Sequence, residues 1–133
     1  SKLKATIHAL IKQFPGRQLT ACMELHTFSS LNLNFLREYR NSMLCADEAI
    51  VYFNPHTLEH KKLPPISPRQ VKEAFGGDNL SVCTDSQEMV RQLLTTDWKN
   101  RNLLLMSSGT FDGIDAAKLA GNLLRTVSVL PPA

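Results

Sequence analysis

Apolar and polar residues alternate along the chain with two different periods, which predict helices and strands in turn. Apolar residues recur at three- and four-residue spacing over residues 1–14 and predict an amphipathic helix, which Pro15-Gly16 ends. The residues expected to face inward are Leu3, Ile7, Leu10, Ile11 and Phe14.

Short apolar or β-branched runs predict the strands. They cover residues 18–25, 49–53, 80–84 and 102–107. The last run contains three consecutive leucines and a methionine, so it is predicted to be the most buried strand, covered on both faces.

The remaining helices are predicted over residues 33–44, 68–75, 86–96 and 114–127. In the first of these, the inward-facing residues are expected to be Leu33, Leu36, Tyr39, Met43 and Leu44. Ser67 before Pro68 is typical of a helix start, and Asp85 with Glu88 three residues later resembles a capping box. Residues 54–66 contain three prolines and predict a loop, and Pro131-Pro132 ends the chain.

This order of elements, α-β-α-β-α-β-α-β-α, predicts an α/β fold. We expect a doubly wound, mostly parallel, Rossmann-like sheet with helices on both faces, joined by right-handed crossovers. The chain begins inside a helix, whereas a doubly wound domain normally starts on a strand. Residues 1–133 are therefore expected to form one domain that lacks its first strand and belongs to a longer polypeptide.

Composition narrows the possible functions. The chain has 133 residues, 43% hydrophobic and 20% charged, which is typical of a single globular domain. Its net charge of +3 is mild, the basic residues are scattered, and there are only two Tyr and one Trp. A nucleic-acid-binding surface of interleaved basic and aromatic residues is therefore not expected.

The cysteines and the hydropathy pattern indicate a cytoplasmic protein. Cys22, Cys45 and Cys83 are odd in number and widely separated, so they predict neither a disulfide framework nor a zinc ribbon. No apolar run approaches the roughly 20 residues of a membrane span. The start also lacks the apolar region of a signal peptide.

Two loops that follow predicted strands are rich in small polar residues. They are "ELHTFSSLN", residues 24–32, and "SSGTFDG", residues 107–113, each placed before a helix. Ligands gather at the carboxyl ends of parallel strands, and helix N-termini there favour an anion or a carboxylate. Capping and turning explain either loop alone equally well, but two such loops at one edge favour a binding site.

The sequence contains little catalytic machinery. It has no phosphate-binding loop of the G-x-x-x-x-G-K-[ST] type, and "GGDN" is better interpreted as a helix end than as a dinucleotide motif. His56 and His60 could bind a metal on a helix, but the flanking prolines favour a loop and no third ligand is evident. His26 is the histidine best placed to meet a ligand. We predict no catalytic residue and no metal site.

Several segments resemble the Mur ligase family. "LLLMSSGTFDGI" is similar to the "MSNGGFGGI"-type segment of its peptide-recycling branch, and "ELHTFSSLN" with "ADEAIVY" is similar to the H-T-[YF]-S loop and "ADEV" strand. "SKLKATIHALIKQFPGRQL" resembles the helix after the family's D-[FY]-A-H-x-P motif. The resemblance covers nearly the whole chain and identifies it as the third, C-terminal domain.

The resemblance implies a reaction and its participants. The recycling branch joins UDP-N-acetylmuramate to L-alanyl-γ-D-glutamyl-meso-diaminopimelate, a murein peptide, through an acyl phosphate that the peptide's amine attacks. ATP and Mg²⁺ are implied for the full-length enzyme, bound mainly by a central domain; no cofactor is expected in this fragment, which positions the amine, closes over ATP and is inactive alone. The residues that match the family's binding loops are His26, Thr27, Ser29, Ser107, Ser108, Gly109 and Phe111.

Departures from the family pattern leave open which residues contact the acceptor's carboxylates. Ser30 and Leu31 stand where a basic residue is common, and Thr110 and Asp112 stand where glycine is common. One alternative is the same domain of the L-alanine-adding branch, which shares the H-T-F-S stretch. A stand-alone flavodoxin-like module is another, although such a module should begin with its own strand.

Overall fold

The structure of the protein, a computed structural model, describes the backbone of residues 2–128 and the side chains of residues 2–125. The predicted end at Pro131-Pro132 lies outside the described residues. The helices and strands are α1 Lys2–Gln13, β1 Gln18–Glu24, α2 Leu33–Leu36, a 3₁₀ turn Arg37–Tyr39, β2 Glu48–Tyr52, α3 Pro55–His60, α4 Pro68–Phe75, β3 Leu80–Cys83, α5 Ser86–Leu94, β4 Arg101–Met106 and α6 Ala116–Ser128.

The four described strands form one parallel sheet in the order β3-β2-β1-β4. One face is covered by α1, α2 and α4, whose residues share a core with Ala21 and Val51. The other face is covered by α5 and α6, which pack with Cys22 and Ile50. The predicted fold class is thereby confirmed: a doubly wound α/β domain with helices on both faces.

The predicted burial of the last strand is wrong. All six residues of β4 are only half-buried, whereas β1 and β2 supply most of the fully buried strand residues and β3 supplies Leu80. The reason is position: among the described strands β4 lies at the edge of the sheet, with a neighbour on one side. An apolar run shows that a strand can be covered on both faces, but not that it is.

The predicted helix over residues 33–44 is much shorter than expected. Asn32 caps α2 by accepting from the amides of Asn34 and Phe35, but the helix ends at Leu36 and continues only as the 3₁₀ turn. Asn41, with φ 61°, then takes the left-handed conformation that no helix can continue through. Leu36 and Met43 are buried as predicted and Tyr39 is half-buried, whereas Leu33 and Leu44 are exposed.

The predicted loop over residues 54–66 contains a helix, α3. Asn54 caps it by accepting from the His56 amide at 2.9 Å, and Pro55 occupies the first turn, where its missing N–H is not needed. Lys62, with φ 56°, follows the end of the helix. The prolines therefore begin and follow a short helix rather than exclude one.

The other predicted helices are confirmed with small changes. Ser67 and Gln70 form a complete capping box at α4. Asp85 caps α5 by accepting from the Gln87 amide at 2.9 Å. In α1, Leu3 and Ile7 are buried and Leu10 and Ile11 are half-buried, but Phe14 is exposed because it follows the last helical residue. No helix of the described chain is long and apolar enough to cross a membrane.

Candidate functional site

The two predicted loops lie side by side. Strands β1 and β4 are parallel neighbours, and Met23 is paired with Met106 near their carboxyl ends. The loops that follow these strands therefore leave the same edge of the sheet, as the sequence predicts. This is the edge at which open parallel sheets bind ligands.

A cavity of about 230 Å³ lies between the two loops. Three of the predicted site residues line it, namely Thr27, Ser107 and Ser108. The other lining residues are Met23, Glu24, Ser30, Tyr39 and Met106. The sequence thus identified the two walls of the cavity but not the carboxylate between them.

That carboxylate, Glu24, organises the site. Its side chain is buried at the end of β1, with the residue 4% exposed, and it accepts hydrogen bonds from the Ser107 hydroxyl and from the Phe111 amide, the latter at 3.0 Å. A buried carboxylate is tolerated only when such partners replace water. The sequence gives one indication of this role, because Glu24 is an acidic residue within the apolar run "ACMEL". In the sequence analysis Glu24 is only the first residue of the loop.

His26 and Gly109 pack against this carboxylate. The His26 Nδ1 lies 4.0 Å from a Glu24 oxygen, and the imidazole side chain is 40% exposed. A Cβ atom on Gly109 would lie 2.9 Å from Glu24 Oε1 and 3.1 Å from His26 Cδ2. Position 109 therefore requires glycine because the backbone passes directly over the Glu24–His26 pair.

Asp112 fixes the far end of the same loop. It accepts hydrogen bonds from the Tyr52 hydroxyl and from Asn54 Nδ2, the latter at 3.1 Å. Burial, followed by the hydrogen bond and charge of Asp112 and by the charges of Glu24 and Asp85, raises the pKa of Tyr52 above its ordinary value. The last residue of β2 and Asn54 just after it therefore also hold the loop that follows β4.

Phe111 anchors the loop in the core. The residue is 5% exposed, its ring centroid lies 6.2 Å from that of Tyr52, and it packs among the apolar residues under α5 and α6. Phe111 and Asp112 have φ values of 52° and 57°, in the left-handed region that bulky residues rarely occupy. Such a conformation persists only where the surroundings impose it, here through the Glu24 and Tyr52 contacts. Replacing Phe111 would therefore test stability rather than binding.

The loop satisfies two of its backbone donors with its own side chains. The Gly109 amide donates to Ser107 Oγ at 2.7 Å, and the Gly113 amide donates to Thr110 Oγ1 at 2.9 Å. At the start of α6 the Lys118 amide donates to the Asp115 carboxylate at 3.0 Å. An incoming anion would therefore compete with Asp115 at this helix N-terminus, which weakens the expectation of a carboxylate ligand there.

The first loop is closed by its own hydroxyl pair. The Thr27 amide and Thr27 hydroxyl both donate to Ser30 Oγ at 3.0 Å, and Ser30 is buried. Ser29 is exposed and faces a separate, wider groove of about 600 Å³, which Phe28 and Phe35 also line. The structure therefore brings Thr27 and Ser108 to one cavity but leaves Ser29 outside it.

The charged side chains that hold the second loop, or act on the residues that hold it, are carboxylates. Glu24 and Asp112 hold the second loop, and Asp85 is close enough to add to their effect on Tyr52. Opposite charge within a few ångströms stabilises a cation, so this environment favours an amine over a carboxylate near Glu24 and Asp112.

The described residues contain no group of three metal-ligating side chains. His56 and His60 do lie on a helix, contrary to the predicted loop, but the contact that His56 makes is with Glu59 at 3.6 Å. The described residues therefore do not fit a bound magnesium ion.

Fold and site together define the chain as a doubly wound α/β domain with a preformed loop pair at the carboxyl edge of its sheet. No family model matches the sequence, and no curated protein matches it. Two solved structures share the fold over most of the chain.

One is a domain assigned to a UDP-N-acetylmuramate:L-alanyl-γ-D-glutamyl-meso-diaminopimelate ligase of Haemophilus ducreyi 35000HP. It has a TM-score of 0.58 and 20% identity, and the match covers 95% of this chain and 81% of that one. The other is the murein peptide ligase Mpl of Psychrobacter arcticus 273-4, with a TM-score of 0.66 and 20% identity, over 91% of this chain and 25% of that one. At this identity the likeness establishes the fold, and the chain spans about a quarter of the second protein.

Proposed function

We propose that the chain is the acceptor-side domain of an ATP-dependent ligase that joins UDP-N-acetylmuramate to L-alanyl-γ-D-glutamyl-meso-diaminopimelate. Two independent lines support this proposal. The motifs that resemble the Mur ligase family fall on the two loops that form the cavity, and the fold resembles that of ligase domains. The observation that carries the proposal is the cavity itself, because both loops form it.

In this proposal the domain orients the amine of the incoming peptide. Ser108 and Thr27 present hydroxyl groups at the cavity, and Glu24 supplies a carboxylate in its wall. Holding a nucleophile in a reactive geometry is a large part of catalysis in acyl transfer. The domain would thus contribute position and charge, and the acyl phosphate would form elsewhere.

ATP and Mg²⁺ belong to the proposed full-length reaction rather than to this chain. The sequence has no phosphate-binding loop, and the described residues offer no metal-ligand group. When bound, the nucleotide would supply the phosphoryl group that activates the muramyl carboxylate. The residues of this chain would meet it only by closure of the domain.

Steady-state kinetics of the full-length enzyme test the proposal through Ser108→Ala. Loss of one hydrogen bond to the acceptor should raise the activation free energy by about 0.5–1.5 kcal/mol. The value of kcat/KM for the tripeptide should therefore fall roughly two- to tenfold. The KM values for ATP and UDP-N-acetylmuramate should change little. Thr95→Ala, an exposed hydroxyl at the end of α5, is the matched control and should leave all three unchanged.

An unchanged kcat/KM for the tripeptide in Ser108→Ala would remove the cavity from the acceptor site. Comparing the tripeptide with L-alanine as acceptors separates the two branches of the family. Turnover with L-alanine alone would assign the chain to the L-alanine-adding branch.

A further inference from the structure

Cys45 is the exposed one of the three cysteines. It lies in the turn that leads into β2, whereas Cys22 is fully buried and Cys83 is half-buried. Burial raises the pKa of the Cys22 thiol, and burial followed by the charges of Glu88 and Asp85 raises the pKa of the Cys83 thiol. Because the thiolate is the reactive form of cysteine, Cys22 and Cys83 are the two inert cysteines.

Cys45 is paired with a base. His8, an exposed residue of α1, places its Nε2 3.1 Å from Cys45 Sγ, although the two residues are 37 positions apart in the chain. A thiol within hydrogen-bond reach of an imidazole can pass its proton to the ring nitrogen as the sulfur attacks. The fold therefore brings together a nucleophile and a base from two separate elements.

The turn that carries Cys45 is held in place from both sides. Met43 and Ala46 are buried, and the Ala46 amide donates to the Met43 carbonyl at 3.2 Å. Asn79 Nδ2 donates to the carbonyls of both residues, at 3.0 Å and 2.7 Å. The position of Cys45 beside His8 is therefore fixed by a packed and hydrogen-bonded backbone.

Two lysines flank the pair. Lys4 and Lys12 are exposed and lie one helical turn before and after His8, on the same face of α1. The carboxylate of Asp47, two residues after the cysteine, accepts from the Leu19 amide at 2.7 Å. Positive charge beside a sulfur favours the approach of an anionic reagent over a neutral one.

We propose that Cys45 and His8 form a thiol–disulfide exchange site for anionic low-molecular-weight disulfides, the class in which each half carries carboxylates. The Cys45 sulfur attacks one sulfur of the disulfide, so that a new S–S bond forms and the old one breaks. The other half leaves as a thiolate, and His8 Nε2 takes the Cys45 proton. The Cys45 sulfur is oxidised and the departing sulfur is reduced, so the step needs no further oxidant.

This exchange site is separate from the cavity between the two loops. Cys45 precedes β2 and so lies at the amino edge of the sheet, whereas the cavity lies at the carboxyl edge. The proposal therefore does not depend on the proposed function.

Reaction of the 133-residue chain with glutathione disulfide tests the proposal, with each adduct located by peptide mass spectrometry. The first adduct should form on Cys45. His8→Gln keeps a polar side chain but removes the base, and the rate at Cys45 should fall at least about tenfold, since a positioned general base contributes more than this in enzymes. His56→Gln, an exposed histidine that contacts Glu59 instead, is the matched control and should leave the rate unchanged.

The same reaction in urea separates the effect of the fold from that of the sequence. The wild type and His8→Gln should then react equally at Cys45, because the pair exists only when α1 and the turn are packed together. In the folded chain, Lys12→Gln should slow the reaction with glutathione disulfide but not with a neutral hydroxyethyl disulfide. Lys2→Gln, on another side of α1, should slow neither.

Equal rates at Cys45 in the folded wild type and in His8→Gln would overturn the proposal, as would a first adduct on Cys22 or Cys83. A difference between the two proteins that persists in urea would also overturn it, because the packed pair would not be its cause. Equal slowing of the anionic and the neutral disulfide in Lys12→Gln would overturn the preference for anions.

Discussion

Glu24 joins the ends of two neighbouring strands through a single buried side chain. Because Glu24 Oε1 accepts from both a hydroxyl and a backbone amide of the second loop, the conformation of that loop depends on this residue as well as on its own sequence. Without Glu24, the left-handed Phe111 would lose the contact that satisfies its amide.

Glu24→Ala should therefore destabilise the fold. It leaves the buried Phe111 amide without an acceptor, which costs about 1–3 kcal/mol of the free energy of unfolding. Urea denaturation measures this loss. Glu73→Ala, which removes only an exposed pair with Arg69 in α4, should cost less than about 0.5 kcal/mol. Equal losses in the two variants would contradict a structural role for Glu24.

Tyr52 predicts a dependence of stability on alkaline pH. Its pKa in the folded protein is raised by burial and then by Asp112, above the value of about 10 expected in the unfolded chain. Its contribution is therefore fully present below pH 10 and is lost as the pH rises further, because the unfolded chain releases the proton first. The Cys22 thiol, whose pKa burial also raises, acts in the same direction from about pH 9.

The Tyr52 share of this effect can be isolated with Tyr52→Phe. Above pH 10 the free energy of unfolding should fall less steeply in this variant than in the wild type, as measured by denaturant titrations at a series of pH values. Parallel curves above pH 10 would show that Tyr52 ionises equally in both states. Cys22→Ala provides the corresponding comparison for the thiol.

At the scale of elements, the sequence predicted the sheet and most of its helices. Periodicity located α1, and helix start signals located α4, at Ser67-Pro68, and α5, at Asp85. The equivalent start at Asn54-Pro55 was missed, because further prolines at 64 and 65 suggested a loop throughout. The left-handed turn that limits the second helix was not visible, since Asn41 looked like an ordinary helix position.

The candidate site was predicted only in part, because its loops have local sequence signals and its buried carboxylate does not. Both loops are recognisable locally from small polar residues between a strand and a helix. The role of Glu24 is not, because its partner Phe111 lies 87 positions away. Likewise, the half-burial of β4 depends on which strand becomes its neighbour, which no local pattern records.

Two glycines in the loop and helix that follow β4 should respond oppositely to alanine. Gly109→Ala places a Cβ 2.9 Å from Glu24 Oε1, so the loop must shift, at a cost of about 1–3 kcal/mol. Gly121 lies within α6, and a Cβ added there would meet no other part of the protein within 4 Å. Gly121→Ala should therefore raise the free energy of unfolding by about 0.5–1 kcal/mol. Thermal or urea unfolding measures both, and destabilisation by Gly121→Ala or tolerance of Gly109→Ala would contradict the packing described.

At the scale of the whole molecule, two cavities lie at different edges of the sheet. The carboxyl edge carries the cavity between the first and second loops, and an apolar groove of about 660 Å³ lies between β4 and α6. Changes in one should therefore leave the other intact, since sites without shared partners behave additively.

The isolated 133-residue chain should not bind ATP tightly. It lacks a phosphate-binding loop, and its described residues lack a metal-ligand group that would hold Mg²⁺ beside a triphosphate. Isothermal titration should give a dissociation constant weaker than about 1 mM. Micromolar affinity for ATP would contradict this prediction and would require a nucleotide site that the fold does not suggest.

The long sequence separation between Glu24 and Phe111 also bears on how the protein is made. During synthesis, β1 leaves the ribosome well before residue 111. The Glu24 carboxylate at the end of β1 therefore lacks the Phe111 amide as a hydrogen-bond donor while β2 and β3 are being added. Water must solvate Glu24 during that time, which keeps the carboxyl end of β1 open. The cavity can therefore close only when β4 has inserted beside β1, and a chain truncated before Arg101 would leave the ribosome with this end of its sheet unsealed.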